Sequence, residues 1–319
     1  MRSIWIMIPV IISFMISVTS GPLIIPFLRR LKVGQTVRDD GPRTHLKKMG
    51  TPTMGGILII ISVAITSLLY VEEYPRIVPV LFLMLGFGMI GFLDDFIKVV
   101  LKRAMGLKPA QKMFLQIVVT GVFAYYMVNM SGISLAMRIP FLKGHYIDFG
   151  IYNIPVLFIV IIGTVNGTNF TDGIDGLVSS VTVLTAAFFT VAAVGMQLEM
   201  YPVTCAVVGA LLGFLMFNVH PASVFMGDTG SLALGGFLAA SAYMMQMPLY
   251  LPIVGFVYVM EVLSVIIQVI YFKLSKGKRF FKMAPLHHHF ELCGLPEVSI
   301  VTGFSMITAL LCMIALFDL

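Results

Sequence analysis

Ile77-Val-Pro-Val-Leu-Phe-Leu-Met-Leu-Gly-Phe-Gly-Met-Ile-Gly-Phe-Leu-Asp94-Asp95-Phe-Ile-Lys98 decides the class of fold. The run from Ile77 to Leu93 carries no ionisable side chain. As a helix rising about 1.5 Å per residue, the stretch is long enough to cross the roughly 30 Å of hydrocarbon in a bilayer. Two adjacent carboxylates then close it. An ionised acid placed in a spanning helix costs roughly 2.5–3.5 kcal/mol unless it is paired, metal-bound or turned to water, so acids at such a place mark function.

The same pattern repeats outward from this tract. Asp172, Asp175 and Asp228 also stand beside long apolar runs. Ten apolar stretches of near-spanning length lie at about 4–28, 54–71, 77–97, 113–130, 153–168, 177–194, 202–217, 231–247, 252–273 and 300–317. Of the 319 residues 59% are apolar and 11% charged, and the mean hydropathy is +0.99, values outside the range of water-soluble domains. The expectation is an all-α integral membrane protein of about ten transmembrane helices, in one polytopic domain covering residues 1–319. The first stretch is read as a retained helix, because no small-residue cleavage site follows it.

Segments 29–53, 98–112 and 273–299 hold 17 of the 21 Lys and Arg residues. If each stretch crosses once, all three fall on one side, which the positive-inside rule makes the cytoplasm. Both termini are then expected to be extracytoplasmic. Asp94, Asp95, Asp172, Asp175 and Asp228 gather on the cytoplasmic side, together with His45, His220 and His287-His288-His289. Of the outer connections only 131–152 is long enough for a small hairpin. Cys205, Cys293 and Cys312 are far apart and form no CxxC pair, so neither a disulfide framework nor a thiolate metal site is supported.

Gly86-Phe-Gly88-Met-Ile-Gly91 matches a dinucleotide fingerprint, but it lies inside an apolar helix and not between a strand and a helix, so close helix packing is the better account. Asp228-Thr-Gly occurs once, whereas an aspartic-protease dyad needs two matched carboxylates. Three tracts remain. Around Asp94-Asp95 the two acids project about 100° apart on a helix, while Asp94 and Lys98 share a face. In Asn169-Phe-Thr-Asp172-Gly-Ile-Asp175-Gly176 the polar side chains fall three apart, and the glycines argue that part of the segment is loop. In Asn218-Val-His-Pro-Ala-Ser-Val-Phe225-Met-Gly-Asp228-Thr229-Gly-Ser231, Thr229 or Ser231 is expected to cap the helix that follows. Magnesium is commonly held by one or two carboxylates plus substrate phosphates, so Asp228 helped by Asp94 or Asp95 would suffice.

Six ordered tracts carry a resemblance over nearly the whole chain: Lys47-Lys-Met-Gly-Thr-Pro-Thr-Met-Gly-Gly56, Gly91-Phe-Leu-Asp-Asp-Phe-Ile-Lys98, Lys108-Pro-Ala-Gln-Lys112, Asn169-Phe-Thr-Asp-Gly-Ile-Asp-Gly-Leu177, Phe225-Met-Gly-Asp-Thr-Gly-Ser-Leu232 and Ala284-Pro-Leu-His-His-His-Phe-Glu291. With them the chain resembles the phospho-N-acetylmuramoyl-pentapeptide transferases, within the polyprenyl-phosphate N-acetylhexosamine-1-phosphate transferase superfamily. The resemblance implies a ten-helix fold that is commonly a homodimer, with an active-site cleft on the cytoplasmic face of the bacterial inner membrane. It implies Mg²⁺ and two substrates, UDP-MurNAc-pentapeptide and undecaprenyl phosphate, which give lipid I and UMP.

The resemblance also assigns roles. Asp228 becomes the Mg²⁺ ligand. Asp94 becomes either the base toward the lipid phosphate or part of the metal's surroundings, with Asp95 beside it. Lys48, Thr53, Asn169, Asp172, Asp175 and Asn218 fall on the nucleotide side, with Phe225 stacking on uracil. His287 and His288 fall at the rim, near phosphate or sugar. Zinc is a poor match for the histidine tract, since three consecutive histidines cannot all reach one tetrahedral ion without strain.

Two other functions compete with this one. A sibling enzyme would move GlcNAc-1-phosphate from UDP-GlcNAc to the same lipid. A transporter would place ionisable groups at mid-membrane, where only Glu261 and Gln268 stand. No nucleic-acid module is seen, and the basic loops are already required by membrane topology.

Overall fold

The computed structural model describes residues 2–30, 48, 50–99 and 106–319; His45 and Lys47 lie outside the described residues. The helices in chain order are α1 (Arg2–Arg30), α2 (Gly56–Leu68), α3 (Ile77–Val99), α4 (Pro109–Asn129), α5 (Asn153–Thr171), α6 (Leu177–Gly195), α7 (Tyr201–Asn218), α8 (Gly227–Met244), α9 (Leu251–Val254), α10 (Phe256–Leu274), α11 (Leu286–Leu292) and α12 (Glu297–Leu316). Among the described residues, eight helices are long and apolar enough to cross a membrane. The 13-residue α2 and the 18-residue α8 fill the other two expected stretches.

Two details differ from the periodicity reading. The stretch expected at 252–273 is broken at Gly255 into α9 and α10. The loop expected around the histidine tract contains a two-turn helix, α11. The connection 131–152 does form a hairpin: β1 (Met137–Arg138) pairs antiparallel with β2 (Tyr146–Ile147).

The centre of the bundle is α8, in which every residue from Thr229 to Met244 is buried. Lipid tails are as apolar as leucine, so packing of small residues and not hydrophobicity draws membrane helices together. That is the use made of the Gly86/Gly88/Gly91 series. A Cβ on Gly91 would stand 2.0 Å from the Asp228 carbonyl oxygen, and one on Gly88 would stand 3.2 Å from Ala233 Cβ. Gly86 instead faces Val119 of α4. Gly56 of α2 closes against Gly230 in the same manner. Helices α2, α3 and α5 therefore press directly on the backbone of α8.

The polar ends sort onto two opposite faces. Helix α1 runs alongside α7 in the same direction, with Val10 at Gly209, Ser17 at Gly213 and Gly21 at Phe217. The Ser17 hydroxyl donates to the Ala210 carbonyl at 3.0 Å. Helix α1 therefore starts at the face where α7 starts, away from Asn218. The carboxyl terminus reaches that face too. Arg138 of the hairpin donates to the Asp318 carbonyl at 2.8 Å, and the Phe141 N–H and the Tyr250 hydroxyl donate to the Asp318 carboxylate. Burial would push the Asp318 carboxyl up, but these two hydrogen bonds and the charges of Arg138 and Lys143 hold it below the usual carboxylate range.

Candidate active site

At the opposite face the close crossing of α3 and α8 fixes the first group of acids. Asp95, near the end of α3, accepts hydrogen bonds from the Thr229 N–H at 2.9 Å, the Thr229 hydroxyl at 2.7 Å and the Asp228 N–H at 3.3 Å. A carboxylate at a helix N-terminus satisfies orphan N–H groups and complements the dipole. The expected cap by Thr229 or Ser231 is thereby corrected: α8 begins at Gly227, both residues lie inside it, and the cap comes from Asp95 on another helix. Gly227 has φ +71°, and a Cβ there would meet the Asp95 carboxylate at 2.6 Å and the Thr53 hydroxyl at 2.7 Å. Glycine is required on both counts. Thr53, itself buried, stands beside this junction.

Asp94 and Asp228 are tied to two lysines. Lys98 Nζ lies 2.5 Å from Asp94 Oδ2, the same-face pairing read from the sequence, and 3.2 Å from Asp228 Oδ2. Lys112 Nζ lies 2.8 Å from Asp228 Oδ2. Asn169, in the last turn of α5, donates from Nδ2 to Asp228 Oδ1 at 2.9 Å and to the Ser231 hydroxyl at 2.9 Å. Asp94 Oδ1 accepts the Leu107 N–H at 2.7 Å.

Oxygens of Asp94, Asp95 and Asp228 come within 4.8 Å of one another, a set that could hold a metal ion. Asp95 is tied to the backbone and hydroxyl at the start of α8, whereas Asp94 and Asp228 share the Lys98 ammonium, whose place a cation could take, so these two are the more accessible donors of the set. Two hard oxygen donors from carboxylates, completed by substrate phosphate oxygens, fit Mg²⁺. The ammonium groups of Lys98 and Lys112 lie beside those carboxylates.

The turn between α5 and α6 builds the second group. Helix α5 ends at Thr171, so Asp172 and Asp175 leave the helical face and enter a tight turn. Asp172 is half-buried beside the start of α8. Burial first, and then the charges of Asp228 and Asp95, push its carboxyl up to about 8 against an opposing hydrogen bond from the Gly227 backbone. Asp175 is buried and accepts from Lys48 Nζ at 2.7 Å, His220 Nδ1 at 3.0 Å and the Ala222 N–H at 3.0 Å. Lys48 also reaches Glu297, the first residue of α12, at 2.6 Å.

Asn218 is buried and fully engaged. It accepts from the Ser179 hydroxyl at 2.9 Å and donates to the Val224 carbonyl at 3.0 Å. Its contribution is to hold the loop that carries Phe225. That loop is docked through the Phe225 N–H to the Pro52 carbonyl and through the Gly55 N–H to the Phe225 carbonyl, each at 2.8 Å. The Phe225 ring is half-exposed beside α8.

The three histidines do not converge. His287 is fully buried, with Nδ1 3.1 Å from Glu261 Oε1. His288 Nδ1 lies 2.7 Å from Glu291, and His289 Nδ1 accepts the Lys282 N–H at 3.1 Å.

The structure thus brings together Asp94, Asp95, Asp172, Asp228, Asn169 and Thr53 around the start of α8, and Lys48 with Asp175 at the adjoining turn. Sequence reasoning missed Lys112, His220 and Glu297 as partners. Lys112 sits in a recognisable tract, but Glu297 carries no local signal, since its partner is 249 positions away.

A family model described as glycosyl transferase family 4 matches residues 77–246. The chain is 50% identical over 314 residues to the phospho-N-acetylmuramoyl-pentapeptide-transferase of Acetivibrio thermocellus, covering 97% of this chain and 94% of that protein. It is 49% identical over 308 residues to the protein of the same name from Clostridioides difficile (96% and 95% covered). To that of Clostridium kluyveri it is 46% identical over 312 residues (97% and 98% covered).

Proposed function

The chain belongs to the phospho-N-acetylmuramoyl-pentapeptide-transferase family, and from that premise we propose that it moves phospho-MurNAc-pentapeptide from UDP-MurNAc-pentapeptide onto undecaprenyl phosphate, giving lipid I and UMP in peptidoglycan synthesis. Overall, one oxygen of the lipid phosphate forms a bond to the phosphorus that carries the sugar. The bond from that phosphorus to the bridging oxygen of the diphosphate breaks, and UMP leaves with the electron pair. The second pKa of a phosphate monoester is about 6, so the lipid phosphate is mostly ionised at neutral pH. Placement and charge compensation then matter more than proton removal.

The observation that carries this reading is the convergence of Asp94, Asp228, Lys98, Lys112 and Asn169 at the start of α8. Asp228 and Asp94 would hold Mg²⁺, which would neutralise phosphate oxygens. Lys98 and Lys112 are placed to meet the remaining phosphate charge. Asp95 holds α8 in register with α3, so that Asp94 and Asp228 keep their separation. Lys48, Asp172, Asp175 and Phe225 form the nucleotide side, Phe225 stacking on the base, while Asn218 keeps Phe225 in place. His288 stands at the rim near the sugar phosphate.

The concentration of Lys and Arg in the segments on this face supports a cytoplasmic site, with both termini on the outer side of the inner membrane. Residues 1–319 would then act as one unit, a reading supported by an apolar core that, among the described residues, runs from Ile25 to Ala315. The family resemblance makes a homodimer one possible assembly.

The decisive experiment offers the purified protein undecaprenyl phosphate and Mg²⁺ with either UDP-MurNAc-pentapeptide or UDP-GlcNAc, and measures UMP and lipid-linked product. Product from the first donor is expected. Product from UDP-GlcNAc alone would assign the sibling activity, and no product from either would overturn the reading. Asp228→Asn, folded but inactive, is the matching control, because an amide is a weaker ligand for a hard cation.

A further inference from the structure

Glu261 is a fully buried carboxylate in α10, among apolar neighbours that face lipid or core. Its two oxygens accept from three donors: the Leu286 N–H at 2.6 Å, the His287 N–H at 3.3 Å, and His287 Nδ1 at 3.1 Å. The two backbone bonds explain how α11 is docked on α10. They do not explain the imidazole, since any residue at position 287 would offer the same N–H.

The other edge of the imidazole gives the reason. His287 Nε2 is buried and meets no hydrogen-bond partner among the described residues. An unpaired buried nitrogen is unfavourable to folding, and an apolar side chain would fill the same space without that penalty. The nitrogen is turned toward the α5–α6 turn: a Cβ on Gly173 would lie 2.0 Å from Nε2. Gly173 stands between Asp172 and Asp175, so Nε2 lies directly beneath the backbone of the proposed nucleotide-sugar side.

We propose that Glu261 is a positioning residue that locks His287 as the Nδ1–H tautomer, so that Nε2 presents a hydrogen-bond acceptor to a hydroxyl or amide N–H of the sugar substrate at the Asp172–Asp175 turn. A carboxylate can only accept, so it keeps a proton on Nδ1. In the neutral ring the lone pair is then left on Nε2. A donor group of the substrate reaches it when the Asp172-Gly173-Ile174 turn adjusts around the bound sugar. The proposal rests on the reading of the cleft as the transfer site.

The test uses the full chain in nanodiscs, ¹⁵N-labelled at histidine, with the His287 resonance assigned by its loss in His287→Gln. Glu261→Gln keeps the size of the side chain and an oxygen for the Leu286 N–H, while its amide N–H takes the place of the oxygen that meets His287 Nδ1. The expected spectrum moves His287 from the Nδ1–H form in the unsubstituted protein to the Nε2–H form in the variant. Turnover should fall about 10–100-fold, as for loss of an orienting partner, with KM for undecaprenyl phosphate unchanged. Glu261→Asp, which restores a carboxylate, should recover part of the rate. In the His287→Gln background, adding Glu261→Gln should cost less than about twofold, because residues acting as one unit are not additive.

An unchanged tautomer in Glu261→Gln, or full additivity of the two losses, would overturn the proposal and leave Glu261 as a cap for α11. The tautomer is read without substrate. A protein inactive with both sugar donors would therefore count against the transferase reading, while the spectrum still decides the role of Glu261.

Discussion

Replacing Gly91 with alanine tests whether the site depends on the α3–α8 crossing. The added Cβ would stand 2.0 Å from the Asp228 carbonyl oxygen, 2.3 Å from its carbon and 2.7 Å from the Thr229 nitrogen, whereas ordinary contact begins at 3.4 Å. All three neighbours are backbone, so no side chain can rotate away. The helices must part by about 1.4 Å at that point, and overpacking of this kind costs about 1–3 kcal/mol. The same displacement would carry the Thr229 N–H, now 2.9 Å from Asp95, beyond hydrogen-bond range and loosen a cap worth about 1 kcal/mol. Because Asp228 moves with that backbone while Asp94 stays on α3, turnover should fall by at least about 100-fold, the scale set by a 1 Å misplacement of reacting groups.

Gly86→Ala is the internal comparison. Its Cβ would approach Val119 Cγ1 at 2.8 Å, a methyl on a side chain that can shift, and should change turnover and melting temperature only slightly. The measurements are thermal unfolding in detergent and UMP release at saturating substrates. Gly91→Ala with turnover within threefold of the unsubstituted protein, or equal damage from both variants, would refute the argument.

The two neighbouring aspartates should separate in behaviour. Asp95→Asn turns an N–H group toward the donors of α8 and should lower the melting temperature as well as the rate, whereas Asp94→Asn should lower the rate with little change in melting; identical profiles for the two would remove this distinction. Phe225→Ala should weaken nucleotide-sugar binding by about 1–3 kcal/mol and leave undecaprenyl phosphate affinity unchanged, as separate titrations would show; equal losses for both would make Phe225 structural. At the far face, Asp318 is held below its unfolded value, so its stabilisation is present above the unfolded carboxylate range, near pH 4, and is lost as pH falls through the folded value. Melting of the unsubstituted protein should therefore fall more steeply with acid than melting of Asp318→Asn, and parallel curves would contradict the latch.

What was legible in the sequence follows from where residues are costly. Hydrocarbon thickness fixes the length of an apolar run, so the stretch at 77–97 matches Ile77–Val99 to within two residues, and the hairpin between β1 and β2 falls where turn residues gather. Asp94 and Asp95 stood out because a carboxylate beside hydrocarbon is unfavourable, and their unequal roles followed from the helical rotation between them. The short α11 was hidden for the opposite reason. Seven residues in a polar segment give too little periodicity to separate helix from loop.

The same reasoning explains which partners stayed invisible. Lys112 and Glu297 stand in the first turns of α4 and α12, where a charge at a helix end is ordinary, so their identity carries no signal until folding sets them 2.8 Å from Asp228 and 2.6 Å from Lys48. Glu261 is the informative intermediate case. Its position inside an apolar helix announced a purpose, but the purpose lay 25 and 26 residues away, in the N–H groups and imidazole of a segment with no periodicity of its own. A sequence therefore reveals that a buried charge must be answered before it reveals by what. The answering groups are the ones for which a structure is needed, and here they include the His287 imidazole that Glu261 would hold in a single tautomer.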